Sequence, residues 1–205
     1  MQNSADIVVG LTDLLLSAEA LVLGCLLLSH ASKVRSYVVA LFYLLGASSF
    51  LGAIFHLFFP LKVATESGWI VWLLVAGSIG LTAILLWCLT AFLTFGKHGL
   101  RVATLLSPLY FVVFMFEIAA VDYHYGTIIL FYAPAVVAFG AVALCKAIKK
   151  KAGWSTVFVG VALSAIAAVV QSSTLSLALF DHNTLYHILQ AVALYVLYKG
   201  FCKII

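Results

Sequence analysis

The sequence predicts an all-α integral membrane protein: a bundle of seven transmembrane helices with the N-terminus outside and the C-terminus in the cytoplasm. Three observations carry this reading. First, 65% of the 205 residues are hydrophobic and 9% are charged, against about half and about a quarter in soluble domains. Second, seven stretches are each long and apolar enough for a helix across the hydrocarbon, which takes about 20 residues. Third, the basic residues collect on alternate loops. Together they exclude a soluble globular domain, a disordered chain and a nucleic-acid-binding module.

The expected spans are 7–28, 36–59, 69–95, 100–120, 127–147, 154–179 and 184–202, one domain over residues 1–205 with only short loops between them. Span one lacks the basic lead of a cleaved signal peptide, carries Asp6 in its place, and is interrupted by Asp13 and Glu19. It reads as a mature helix. Pro60 closes span two, while Pro108 and Pro134 fall inside spans four and five, where proline bends a membrane helix. The polar run Gln171, Ser172, Ser173, Thr174 and Ser176 at the end of span six reads as facing the interior. Asp181 or Asn183 is placed to cap span seven.

Orientation follows from charge. Lys33 and Arg35, Lys97 and Arg101, Lys146 and Lys149 to Lys151, and Lys199 and Lys203 fall on one side, and only Lys62 falls on the other. Cytoplasmic loops carry the excess of lysine and arginine. Cys25, Cys88, Cys145 and Cys202 then lie in the cytoplasmic halves of their spans. In that reducing compartment they read as packing residues, not disulfides.

Ionisable groups inside a membrane are costly and ask for a partner or a role. Here they concentrate at the outer level: His56, Glu66, Glu117, Asp122, His124, Asp181, His182 and His187, with Asp13 and Glu19 on span one. His30 and His98 lie beside basic residues in cytoplasmic loops and read as solvated. Ser49, Gly52 and His56 share one helical stripe, as do Asn183, His187 and Gln190. Three histidines at matched depth suit a catalytic Zn²⁺ site, which takes three protein ligands and leaves a position for water. His56, His182 and His187 would be those ligands.

Two segments resemble the CREST superfamily of seven-span membrane proteins, which includes the alkaline ceramidases and the progestin/adipoQ receptors. They are SSFLGAIFH, ending at His56, and DHNTLYHILQAVALYVLY, from Asp181 to Tyr198. The chain departs from the family pattern in three places. Gly52 holds the slot of the family serine, with Ser49 a further turn back; the histidines are spaced H-x-x-x-x-H; and Glu66 is the nearest match to the family aspartate. The resemblance implies a zinc-dependent intramembrane hydrolase of an amide or ester bond in a lipid-like substrate entering from the bilayer. It implies Glu66 as the acid orienting the water, with Asp122 and His124 as alternates, and Ser49 as an oxyanion helper. It also suggests a second cation near Asp13 and Glu19, whose oxygens suit Ca²⁺.

Other readings use the same residues. A haem held by His56 and His187 is one. A retinal protein is excluded, because the lysine of span seven, Lys199, lies near its cytoplasmic end. The main alternative is a non-enzymatic receptor, sensor or transporter built around a polar cavity of histidine and carboxylate.

Overall fold

The computed structural model describes residues 4–29, 32, 34–176 and 180–205. Six α-helices follow one another: α1 (Ser4–Leu27), α2 (Arg35–Phe58), α3 (Glu66–Phe116), α4 (Tyr125–Ile148), α5 (Trp154–Gln171) and α6 (His182–Phe201). A 3₁₀ turn, Lys62–Ala64, precedes α3, and a π-turn, Glu117–Val121, follows it. The helices α1 to α5 are long and apolar enough to cross a membrane. The protein is therefore an all-α, multi-pass integral membrane protein. Leu105, Leu130, Val137 and Val169 point outward and are more than two-thirds exposed. Such side chains belong against lipid.

The expected seventh helix is not found among the described residues, because spans three and four are continuous as α3. The 96–99 turn shrinks to one residue. Gly96 takes φ 64°, ψ −146° inside α3, a conformation nearly closed to residues with a Cβ. The helix folds back there. A straight helix would separate Gly80 from Phe114 by roughly 50 Å at its rise per residue. Instead a Cβ on Gly80 would stand 2.6 Å from the Phe114 ring. At the far end of the two arms, the Trp72 indole N–H donates to the Tyr123 carbonyl at 3.1 Å.

Span six also ends earlier than expected. Helix α5 stops at Gln171, and the serine-rich run leaves the helix instead of lining the interior. The Ser172 hydroxyl donates to the Ala168 carbonyl at 2.9 Å and Ser173 to Val170 at 2.6 Å. Hydroxyls that bond nearby backbone compete with helix continuation. Leu175 N–H in turn donates to Ser173 Oγ, and Ser172, Thr174 and Ser176 are exposed.

Each helix packs on its neighbour in the chain, and α6 returns to pack on α1. The helices thus close a ring. Phe42, Leu89, Phe139, Leu194 and Phe201 fill its core toward the lysine-rich face. A smaller cluster of Ala76, Phe114, Ile118 and Ile128 joins α3 to α4. The polar residues occupy the other end of the ring, where α1 meets α6.

Candidate functional site

Helix α6 is 20 residues long and carries His182, Asn183, His187 and Gln190 in its first half. Asp181 caps it: its Oδ1 accepts from Thr184 N–H at 2.8 Å. From that start the His187–Gln190 stripe faces inward, and both residues are buried. Across the seam, α1 presents Thr12 and Asp13. His187 Nε2 lies 3.1 Å from Asp13 Oδ1, and both residues are 5% exposed. His187 Nδ1 lies 2.8 Å from Thr12 Oγ1. That hydroxyl also reaches its own helix, 3.1 Å from the Val8 carbonyl and 2.8 Å from the Val9 carbonyl. Helix α2 leaves room for the carboxylate by placing a glycine opposite it. A Cβ on Gly52 would stand 2.9 Å from Asp13 Oδ2.

Nearer the surface, a second cluster joins α1, α2 and the following turn. Lys62 Nζ donates to Asp6 Oδ1 at 2.5 Å, and His56 Nδ1 lies 3.2 Å from the same oxygen and 3.0 Å from Lys62 Nζ. The Lys62 ammonium also stands 5.3 Å from the centre of the Phe55 ring. These side chains are a fifth to a third exposed, so solvent screens their attraction.

The third group is the loop before α4. Asp122 accepts from the Thr127 hydroxyl at 2.5 Å, from His124 N–H at 3.0 Å and from the His124 ring. These bonds, Thr127 first, pull its carboxyl down to about 2. The loop faces solvent and is an anchored turn, not part of the interior.

The residues expected to form one centre are therefore distributed over several places. His187 is buried with Asp13. His56 belongs to the Asp6–Lys62 cluster. His182 is the first residue of α6 and is half-buried. Glu66 is the exposed first residue of α3, in the turn capped by Thr65, where a carboxylate complements the helix dipole. Asp122 and His124 pair with each other, and Ser49 is half-buried on α2. Asp13 and Glu19 do not combine: six residues apart on one helix, they point to different faces, and Asp13 is engaged by His187.

The residues present do not fit the expected zinc. Both ring nitrogens of His187 already face partners on α1, and His56 Nδ1 faces an ammonium group. Among the described residues, no group of three or more histidine, cysteine, aspartate or glutamate side chains is gathered to hold a metal.

DUF6962, a family of unknown function, matches residues 8–204. The chain belongs to DUF6962. No curated protein and no solved structure matches it. The DUF6962 match takes in Thr12, Asp13, Gly52 and His187, while Asp6 lies outside it. In this DUF6962 member, Thr12 and Asp6 are the site residues that sequence reasoning missed. Gly52, one turn before His56 and small enough to receive a side chain from α1, was the available signal for the Asp13 contact.

Proposed function

We propose that this DUF6962 protein is a non-enzymatic, proton-coupled membrane carrier or sensor whose working group is the buried Asp13–His187 pair. In this reading the chain crosses the bilayer seven times, each arm of α3 crossing once. The lysine-rich face is cytoplasmic by the positive-inside bias. The observation that carries the reading is the pair itself: two ionisable side chains, 3.1 Å apart and both 5% exposed, on the first and last helices.

The chemistry follows from proton bookkeeping. With one shared proton, as carboxylate and imidazolium or as carboxylic acid and imidazole, the pair has no net charge. Losing that proton leaves a net negative charge in the bundle, and gaining a second leaves a positive one. Either change is costly away from water. Uptake or release must therefore be coupled to a compensating ion, a bound molecule or a movement. Thr12 reports the change. When the pair is neutral, Nδ1–H donates to Thr12 Oγ1, and the hydroxyl donates to the Val8 or Val9 carbonyl. When the proton leaves, Nε2–H donates to the carboxylate, Nδ1 becomes an acceptor, and the Thr12 hydroxyl turns to donate to it.

The lipid-hydrolase reading requires three ligands converging on one metal, and no such group is gathered among the described residues. The test is pH-difference infrared spectroscopy of the purified protein, beside its metal content. The expected result is a carboxyl signal that vanishes in Asp13→Asn and shifts in His187→Gln. Stoichiometric zinc, lost in His187→Ala, would overturn the reading. For the topology, a membrane-impermeant amine reagent applied to intact cells is expected to modify Lys62 and spare Lys149 to Lys151.

A further inference from the structure

Below the Asp13–His187 pair, three helices each repeat a polar residue on the same face. Helix α4 carries Tyr125 and, seven residues on, Tyr132; α5 carries Gln171 and, seven residues back, Ser164; α6 carries His187 and Gln190. These spacings return to one helical face. The first members form an upper layer, where the Tyr125 hydroxyl is in hydrogen-bond reach of the Gln171 and Tyr186 side chains. The second members meet around a cavity of about 30 Å³ lined by Tyr132, Ser164 and Gln190 among apolar residues that include Phe139. Seven residues of helix span roughly 10 Å.

Both layers hold polar atoms shut off from the surface. Ser164 Oγ and Gln171 Oε1 have no hydrogen-bond partner among the described residues. A buried polar atom without a partner costs on the order of 1–3 kcal/mol. A cavity of this size has room for about one or two water molecules, and a water needs two to four polar partners. On the side of the lysine-rich face the cavity lining includes the apolar Phe139 and Leu197. Phe139, Leu197 and Phe201 are all under a tenth exposed and close the ring toward the lysine-rich face.

We infer that the bundle encloses an internal water site on Tyr132, Ser164 and Gln190 of α4, α5 and α6, closed by apolar residues of α2 and α3, forming a polar file that descends from the Asp13–His187 pair. The water completes the hydrogen bonding of Ser164. The role of the file in proton supply rests on the proposed function, whereas its hydration rests on the cavity and the unpartnered oxygens.

The experiment is hydroxyl-radical footprinting by X-ray pulse on the full chain in nanodiscs, since bound water is activated in place and oxidises adjacent side chains. Leu197 and Val161 line the cavity, while the similarly buried Leu23 and Val39, which do not line it, serve as matched controls. Leu197 and Val161 are expected to be oxidised several-fold faster than those controls, with the excess lost in Ser164→Ala and Gln190→Leu. Oxidation at the control rate in the wild-type protein would overturn the water site without any variant. Labelling with no Asp13 infrared signal would retain the file and remove the proton reading. A normal infrared signal without labelling would do the reverse.

Discussion

Replacing His187 with leucine leaves Asp13 facing the α1–α6 seam without its partner. Both residues are 5% exposed, so little solvent reaches the gap. Breaking a buried ion pair by removing one member costs roughly 3–5 kcal/mol, whereas replacing both members with well-packed apolar residues is often neutral or stabilising. An uncharged hydrogen bond between membrane helices averages only about 0.6 kcal/mol. These magnitudes separate the two forms of the pair. A double-mutant cycle with His187→Leu, Asp13→Leu and the double variant is expected to give single losses of about 3 kcal/mol or more. The double variant should recover most of that loss. Asp13→Asn keeps a polar partner for Nε2 and should fall between wild type and Asp13→Leu. The assay is reversible unfolding in mixed micelles, followed by circular dichroism. The Asp6–Lys62 pair, about a quarter to a third exposed, is the control, expected to couple by at most about 1 kcal/mol. Single losses below about 1 kcal/mol that simply add in the double variant would refute an energetically coupled buried pair.

Three further outcomes follow. Gly96→Ala forces a Cβ into a φ of 64° with nothing within 4 Å to crowd it, so the loss is pure backbone strain of about 1–3 kcal/mol. Gly126→Ala, equally uncrowded but without positive φ, should not destabilise, and thermal scans of the two variants make the comparison. Asp181→Ala removes the cap of α6 and should lower stability by about 1 kcal/mol, with Asp181→Asn restoring most of it. The Asp122 carboxyl is depressed from its ordinary value to about 2 by Thr127 and His124. The anchoring it gives the α4 loop is therefore complete above pH ~4 and is lost as pH falls toward 2. Amide exchange at Thr127 should accelerate across that window, and Asp122→Asn should remove the pH dependence.

The hydrophobic content made the all-α, multi-pass membrane architecture legible, and helical spacing put His187 and Gln190 on one stripe, which the bundle buries. The depth of the polar residues was legible too: His56, Asp122, His124 and His187 all lie toward one end of the bundle. Their direction around the bundle was not. Matched depth made three histidines look like one metal centre, but helix packing decided which groups met. His187 met Asp13 from the other end of the chain, and His56 met Asp6 and Lys62. Local chemistry misled in two places. The serine run looked like an interior lining when its hydroxyls were ending α5. The glycine-containing turn at 96–99 looked like a loop between two helices, when one residue with positive φ sufficed to reverse the chain.

The pattern of close packing shows where a proton change would act. A Cβ on Gly10 would stand 2.6 Å from Leu57, and one on Gly24 2.8 Å from Tyr43, so α1 and α2 approach through glycines. Helices α5 and α6 do the same: a Cβ on Gly160 would stand 2.6 Å from Leu197, and one on Gly200 2.7 Å from Val157. Such interlocked faces resist sliding, because packed interiors do not deform continuously. The seam between α1 and α6 is different. Its identified polar contacts are the ring of His187 against Asp13 and Thr12, groups whose attraction depends on the proton they share. If that proton drives the protein's work, the movement it biases lies at this seam, between two helix pairs that each move as a unit. Substitutions that enlarge Gly10 or Gly160 should then disturb folding, while Thr12→Val should leave the fold intact and alter the response to pH.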